Sequence, residues 1–184
     1  MNDSYKPPLE IERKYIVLQD AWRSFPIQES IGIYQGYLTA PTMDVDDGNK
    51  ATVRVRLINH TNTAYVTVKG RGEDDISRAE FEYAIPHQDA RYMLEHLCGG
   101  RVVKKTRHVI LADESMPGLK WEVDEFHGEN HGLVVAEIEI PDPNYSVSCP
   151  IWIKGEATKA EYKRLSNFQL AVRPFAVWPE AWKH

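Results

Sequence analysis

Leu9-Glu10-Ile11-Glu12-Arg13-Lys14-Tyr15-Ile16-Val17 is the stretch on which the fold turns. Its alternation predicts a β-strand, with Glu10, Glu12 and Lys14 on one face and Ile11, Arg13 and Tyr15 on the other. Next neighbours on a strand face lie roughly 7 Å apart, and two carboxylates at that spacing repel by about 2 kcal/mol at an effective dielectric near 20. A solvated face would screen that repulsion, and for one isolated strand this is the simpler reading. The pattern recurs, however. Arg54 and Arg56, Glu80 and Glu82, Lys105 and Arg107, Glu122 and Asp124, and Glu137 and Glu139 are all like-signed couples at two-residue spacing. Solvent-facing strands usually mix signs, because like charges facing one another across strands are destabilising. Acidic couples suit divalent cations, which take oxygen ligands, and basic couples suit phosphate oxygens.

The 184 residues are 42% hydrophobic and 27% charged, ordinary globular values that predict a single domain over residues 1–184. A net charge of -5 argues against a general nucleic-acid surface, so basic residues are used locally. Cys98 and Cys149 lack metal-ligand spacing, and no N-terminal apolar run signals secretion; free thiols in the cytoplasm are expected. No segment is apolar enough to span a membrane. The oligomeric state stays open between monomer and homodimer.

Beyond the first strand, Gln19 to Phe25 reads as a short helical turn closed by Pro26, and Ser30 to Leu38 as a strand in which Tyr37 packs. Asp44 to Gly48 resembles a calcium loop only superficially and is read as a solvated turn. Ala51 to Asn59 and Ala64 to Lys69 form an expected hairpin that gathers Arg54, Arg56 and Lys69. Planar guanidiniums chelate phosphate, and a lysine adds a mobile point charge. Gly70 to Asp75 is a loop without a phosphate-loop pattern.

Ser77 to Pro86 is a further strand, where Arg78 either enters the site or merely pairs with Glu80. His87 to Cys98 is an amphipathic helix on Ala90, Met93, Leu94 and Leu97, stopped by Gly99-Gly100. Arg101 to Leu111, Lys120 to Phe126 and Leu133 to Ile140 complete the strands. Thr158 and Glu161 have capping-box spacing for a helix through Ala171, with Leu165, Phe168 and Leu170 on its apolar side. Strand follows strand through short connections, so an antiparallel sheet, curled or closed, is favoured over a parallel fold. The class is α+β, with covering helices, a C-terminal helix, and an aromatic tail over 172–184 that packs on the sheet or on a partner chain.

Glu10-Ile11-Glu12-Arg13-Lys14 resembles the Glu-x-Glu-x-Lys signature of the CYTH superfamily, the triphosphate tunnel metalloenzymes. The similarity continues in order over residues 9–171: Gln35 to Leu38, the Arg-x-Arg of Val53 to Leu57, Thr67-Val68-Lys69, Ser77 to Glu82, Lys105-Thr106-Arg107, Trp121 to Phe126 and Ala136 to Ile140. The resemblance implies an antiparallel β-barrel of about eight strands with a charged tunnel. It also implies a triphosphate substrate, inorganic triphosphate in the short bacterial members, and divalent Mg2+ or Mn2+, two ions in the full reading.

Carried over, Glu10, Glu12, Asp124, Glu137 and Glu139 hold metal, joined by Glu122 through its couple with Asp124. Lys14, Arg54, Arg56, Lys69, Lys105 and Arg107 grip phosphates, with Arg78 beside them. Glu10, Glu12, Lys14 and Asp124 would carry the catalysis. The family's C-terminal Tyr-x-Asn is replaced by Leu165-Ser166-Asn167, so no tyrosine contact is assigned there. Alternatives are an adenylate cyclase, a thiamine or nucleoside triphosphatase, or a non-catalytic polyphosphate-binding module.

Overall fold

The computed structural model describes residues 5–38, 51–59, 61–70 and 76–183. The acidic loop Asp44 to Gly48 and residues 71–75 lie outside them. Among the described residues nine strands form one antiparallel sheet: β1 (Leu9–Val17), β2 (Ile27–Tyr37), β3 (Ala51–Ile58), β4 (Ala64–Gly70), β5 (Ser77–Ile85), β6 (Val102–Leu111), β7 (Lys120–Phe126), β8 (Val134–Glu139) and β9 (Ile153–Glu156). The order is β5-β4-β3-β2-β6-β7-β8-β1-β9, and a further β5–β1 pairing closes β1 to β8 into the expected eight-stranded barrel. Closure gives each of these strands a paired neighbour on both sides.

β1 makes that closure. Its first residues pair with β5, Glu10 opposite Arg78, and its middle pairs with β8, Glu12 opposite Glu139 and Lys14 opposite Glu137. Its last residues pair with the short β9, a strand hidden in the sequence because Ile153–Glu156 is too brief to show alternation.

The apolar faces of the strands point outward and are covered there. Ile11, Tyr15, Trp121, Val123 and Ile138 pack with Trp22, from the turn Ala21–Ser24, and with Trp152. On the opposite wall α1 (His87–His96) lays Ala90 and Leu94 on Val55 and Leu57. The expected apolar face of α1 needs one correction. The helix ends at His96, so Leu97 turns out to solvent at 52% exposure and Cys98 is buried in its place. Gly99 and Gly100 follow with φ of 56° and 78°, the left-handed values that end a helix.

A third cluster fills one end of the barrel. Tyr37, Val103, Phe126 and Val135 lie on the inward faces of their strands and meet Leu165, Leu170 and Trp178. The C-terminal helix is two helices, not one: α2 (Lys159–Arg164) and α3 (Asn167–Val172). The capping box of Thr158 and Glu161 starts the first, and the Ser166 hydroxyl, accepting from the Gln169 N–H, caps the second. The break turns Phe168 and Leu170 into the barrel end. No described helix is long and apolar enough to cross a membrane.

Candidate active site

The barrel encloses a cavity of ≈ 230 Å³. Alternation brings to its wall Glu10, Glu12 and Lys14 from β1, Arg54 and Arg56 from β3, Lys69 from β4, Arg78 from β5, Arg107 from β6, Glu122 from β7, and Glu137 and Glu139 from β8. Lys105 and Asp124 are the two expected residues that do not line it. Both are buried beneath the wall, at 3% and 0% exposure, joined to each other in an ion pair.

Acids and bases neutralise one another around the ring. Lys69 reaches Glu10 at 2.8 Å and Glu80 at 2.7 Å. Arg78 does not pair with Glu80; it donates to Glu10 at 2.8 Å and Glu12 at 2.9 Å. Lys14 bonds Glu12 at 2.9 Å and also Glu137. Arg107 is the hub: it grips Asp124 through Nε and Nη2, each at 2.7 Å, donates to Glu137 at 2.8 Å, and pairs with Glu122. Arg54 donates to Thr67 at 3.0 Å, and Thr67 in turn donates to Glu82 at 2.8 Å.

The charges shift titration in opposite directions. Burial pushes the Glu137 carboxyl up, but Lys14, Lys105 and Arg107 outweigh it and hold the group well below the usual carboxylate range. Burial lowers Lys105, helped by Arg107 and opposed by Asp124, to about 8. Burial and the neighbouring Arg54 and Arg107 lower Arg56 to about 10. Arg56 therefore stays cationic at neutral pH, yet its buried Nε has no partner and it reaches Glu82 only at 4.0 Å among the described residues. Such a guanidinium is short of an anion.

Glu139 has the reverse problem. Burial raises its carboxyl, and Glu10, Glu122, Glu80 and Glu12 raise it further. Carboxylates crowd this point of the wall, and among the described residues Glu139, unlike Glu10, Glu12 and Glu122, has no cation in salt-bridge contact. No preformed cluster of three or more metal-type side chains is present among the described residues, since salt bridges draw the acids toward the bases. The donor set of Glu139 with Glu10, Glu12 and Glu122 nevertheless fits a hard divalent cation by chemistry and charge.

At the filled end of the barrel Tyr162 escaped the sequence reading, and Asn167 and Phe168 were given no place in the site. Tyr162, Asn167 and Phe168 line the cavity from α2 and α3. The Tyr162 hydroxyl donates to the Glu12 carbonyl at 2.8 Å, and Lys14 Nζ lies 5.2 Å from its ring centre. Tyr37, read as a packing residue, both packs edge-on against Phe168 and shows its phenol to the cavity. Tyr162 follows the capping box directly, and that position was the available signal for its orientation.

An eight-stranded antiparallel barrel with inward-facing acids and bases and a tunnel is the architecture expected of the CYTH group. The model of the CYTH domain family matches residues 8–174, and the chain belongs to that family. It is 41% identical over 171 residues to an inorganic triphosphatase of Acetivibrio thermocellus, covering 93% of this chain and 98% of that protein. The crystal structure of the inorganic triphosphatase NE1496 is similar at TM-score 0.58 and 27% identity, over 89% of this chain and 94% of that one. A putative adenylyl cyclase from Hippeastrum, described as having a dominant triphosphatase activity, shares the fold at TM-score 0.50 and 18% identity, over 73% and 80% of the two chains.

Proposed function

We propose that the chain is a divalent-metal-dependent triphosphatase that hydrolyses inorganic triphosphate to pyrophosphate and phosphate. The observation that carries this reading is the inward convergence of Lys14, Arg54, Arg56, Lys69, Arg78 and Arg107 with a carboxylate-crowded Glu139 around one small cavity. The names of the Acetivibrio and NE1496 relatives agree with it.

Tripolyphosphate carries roughly four negative charges near neutral pH, given phosphate second pKa values near 6. Arg56 and Arg54 would take one end of the triphosphate and Lys69 and Arg78 the middle, Lys69 and Arg78 leaving Glu10 and Glu12 as phosphate replaces them. The released Glu10 and Glu12, with Glu122 and Glu139, would hold Mg2+ or Mn2+. A bound divalent ion supplies charge neutralisation on phosphate oxygens and lowers the pKa of a coordinated water. Asp124 acts by positioning: its oxygens hold Lys105 and Arg107, which fixes the guanidinium under the phosphates. Tyr37, Phe168 and Tyr162 close the filled end of the cavity, which limits bulk water around the reacting phosphoryl group.

The test is a phosphate-release assay on tripolyphosphate, ATP and thiamine triphosphate, with and without EDTA, on the native chain, Glu10→Gln and Lys69→Ala. Turnover of tripolyphosphate above the organic triphosphates, abolished by EDTA and by Glu10→Gln and showing a raised KM in Lys69→Ala, is the expected result. Full activity in both variants would reject the site. Tight binding without turnover in Mg2+ or Mn2+ would make the chain a binding module.

A further inference from the structure

Helix α2 has a second face that the tunnel does not use. Tyr162 turns to the tunnel, whereas Glu161, Arg164 and Leu165 turn to a separate groove of ≈ 510 Å³. One wall of that groove is apolar, with Ile16, Leu18 and Leu133. The other is cationic and aromatic. The Arg164 guanidinium carbon lies 5.3 Å from the ring centre of Trp178 and 4.8 Å from that of Trp182.

Stacking fixes a guanidinium plane without consuming its in-plane N–H donors. Arg164 Nε is buried and has no partner. Glu161 Oε1 stands 4.0 Å from Nη2, a long ion pair beyond hydrogen-bond reach, while Oε2 takes the Thr158 N–H at 2.8 Å and hydroxyl at 2.7 Å. Lys154 adds an exposed ammonium to the same groove, while Lys183 there is already paired with Glu180 at 2.9 Å. A stacked guanidinium with an unsatisfied Nε and no hydrogen-bonded carboxylate, beside an exposed ammonium and apolar side chains, suits an acidic group carried on an apolar body. The volume falls within the ≈ 300–1,000 Å³ usual for small-molecule sites.

We propose that this groove is an effector site for an amphiphilic organic anion. Arg164 and Lys154 hold its carboxylate or phosphate, and its apolar body lies against Leu18 and Leu133. Because Arg164 and Tyr162 sit on one six-residue helix, occupancy of the groove is felt at the tunnel wall that Tyr162 lines. Coupling between two sites is reciprocal, so a ligand in the tunnel must alter affinity in the groove by the same factor. The coupling rests on tripolyphosphate binding in the tunnel; the groove's own binding does not.

The probe is 8-anilinonaphthalene-1-sulfonate, an aromatic body with one anionic group, titrated by fluorescence into the full chain. Saturable binding, weakened at least tenfold in Arg164→Gln and at least threefold in Lys154→Gln, is expected. Lys154→Gln alters an exposed position and decides the matter if Arg164→Gln loses thermal stability. Displacement of the probe by decanoate would assign an alkyl carboxylate, and displacement by 1-naphthyl phosphate an aryl phosphate. Equal affinity in all three proteins, displacement by neither compound, or displacement by inorganic phosphate just as readily would overturn the site.

Tripolyphosphate is expected to change probe affinity by a factor that levels off as its concentration rises. A change growing in proportion to concentration would mean that the probe sits in the tunnel, and would overturn the proposal. No change, with tripolyphosphate binding confirmed by calorimetry, would overturn the coupling. A chain that binds the probe but not tripolyphosphate would instead defeat the functional reading and leave the groove standing.

Discussion

The Tyr162 hydroxyl donates to the main-chain carbonyl of Glu12 at 2.8 Å, tying two residues 150 positions apart. That carbonyl lies on the edge of β1 between its pairings with β5 and β9, where no strand is present to take it. Tyr162 thus completes the barrel wall beside the charged strand. Tyr162→Phe removes one hydrogen bond, for which about 1 kcal/mol is typical. Steady-state assays are expected to show kcat/KM for tripolyphosphate reduced by about three- to tenfold, with the circular-dichroism spectrum unchanged.

Asp124 is the most deeply buried charge in the molecule's ring of ion pairs, and both of its oxygens are spent on Lys105 and Arg107. Asp124→Asn takes from the buried Lys105 the carboxylate it is bonded to, and from Arg107 one of its three acidic partners. Breaking a buried pair from one side costs about 3–5 kcal/mol, and urea denaturation should show a loss of that order. A variant as stable as the native chain would mean that water reaches Lys105.

Glu139 gives the opposite expectation. Its carboxyl is raised by burial and by neighbouring carboxylates, so its charge is disfavoured in the folded state. For a raised carboxyl the sign is that ionisation costs stability as pH climbs through and above the unfolded value. Glu139→Gln should therefore hold or slightly raise the melting temperature at pH 7 without metal, while calorimetry shows Mg2+ and Mn2+ affinity reduced by about tenfold or more. Loss of stability with cation binding intact would place the ion elsewhere.

The lysine beneath the tunnel sets a pH dependence. Lys105, held to about 8, is charged below that pH and neutral above it. The tunnel floor loses one positive charge as pH rises through this value, so tripolyphosphate affinity should weaken there. Calorimetry between pH 7 and 9 is expected to show the decline in the native chain and a flatter profile in Lys105→Arg, whose guanidinium stays protonated.

Much of this molecule is legible from charge alternation alone. Glu10, Glu12 and Lys14 had to share a face because successive strand side chains point to opposite sides, and the couples on five further strands had to do the same. That periodicity determined β1 to β8 and their shared faces, the closed barrel being what the CYTH resemblance implied, and all but two of the expected residues lie on one cavity wall. Distance along the chain concealed the rest. Lys105 and Asp124 share the inward face by alternation, but only the packing of β6 against β7 places them below the cavity instead of on it. β9 was too short to show a period, and the helical pattern through Ala171 hid the break at Leu165 and Ser166 that aims Tyr162 at Glu12. Which acid answers which base, and which of them is left over, was decided by strand register and closure, because those pairings join residues that no local period relates.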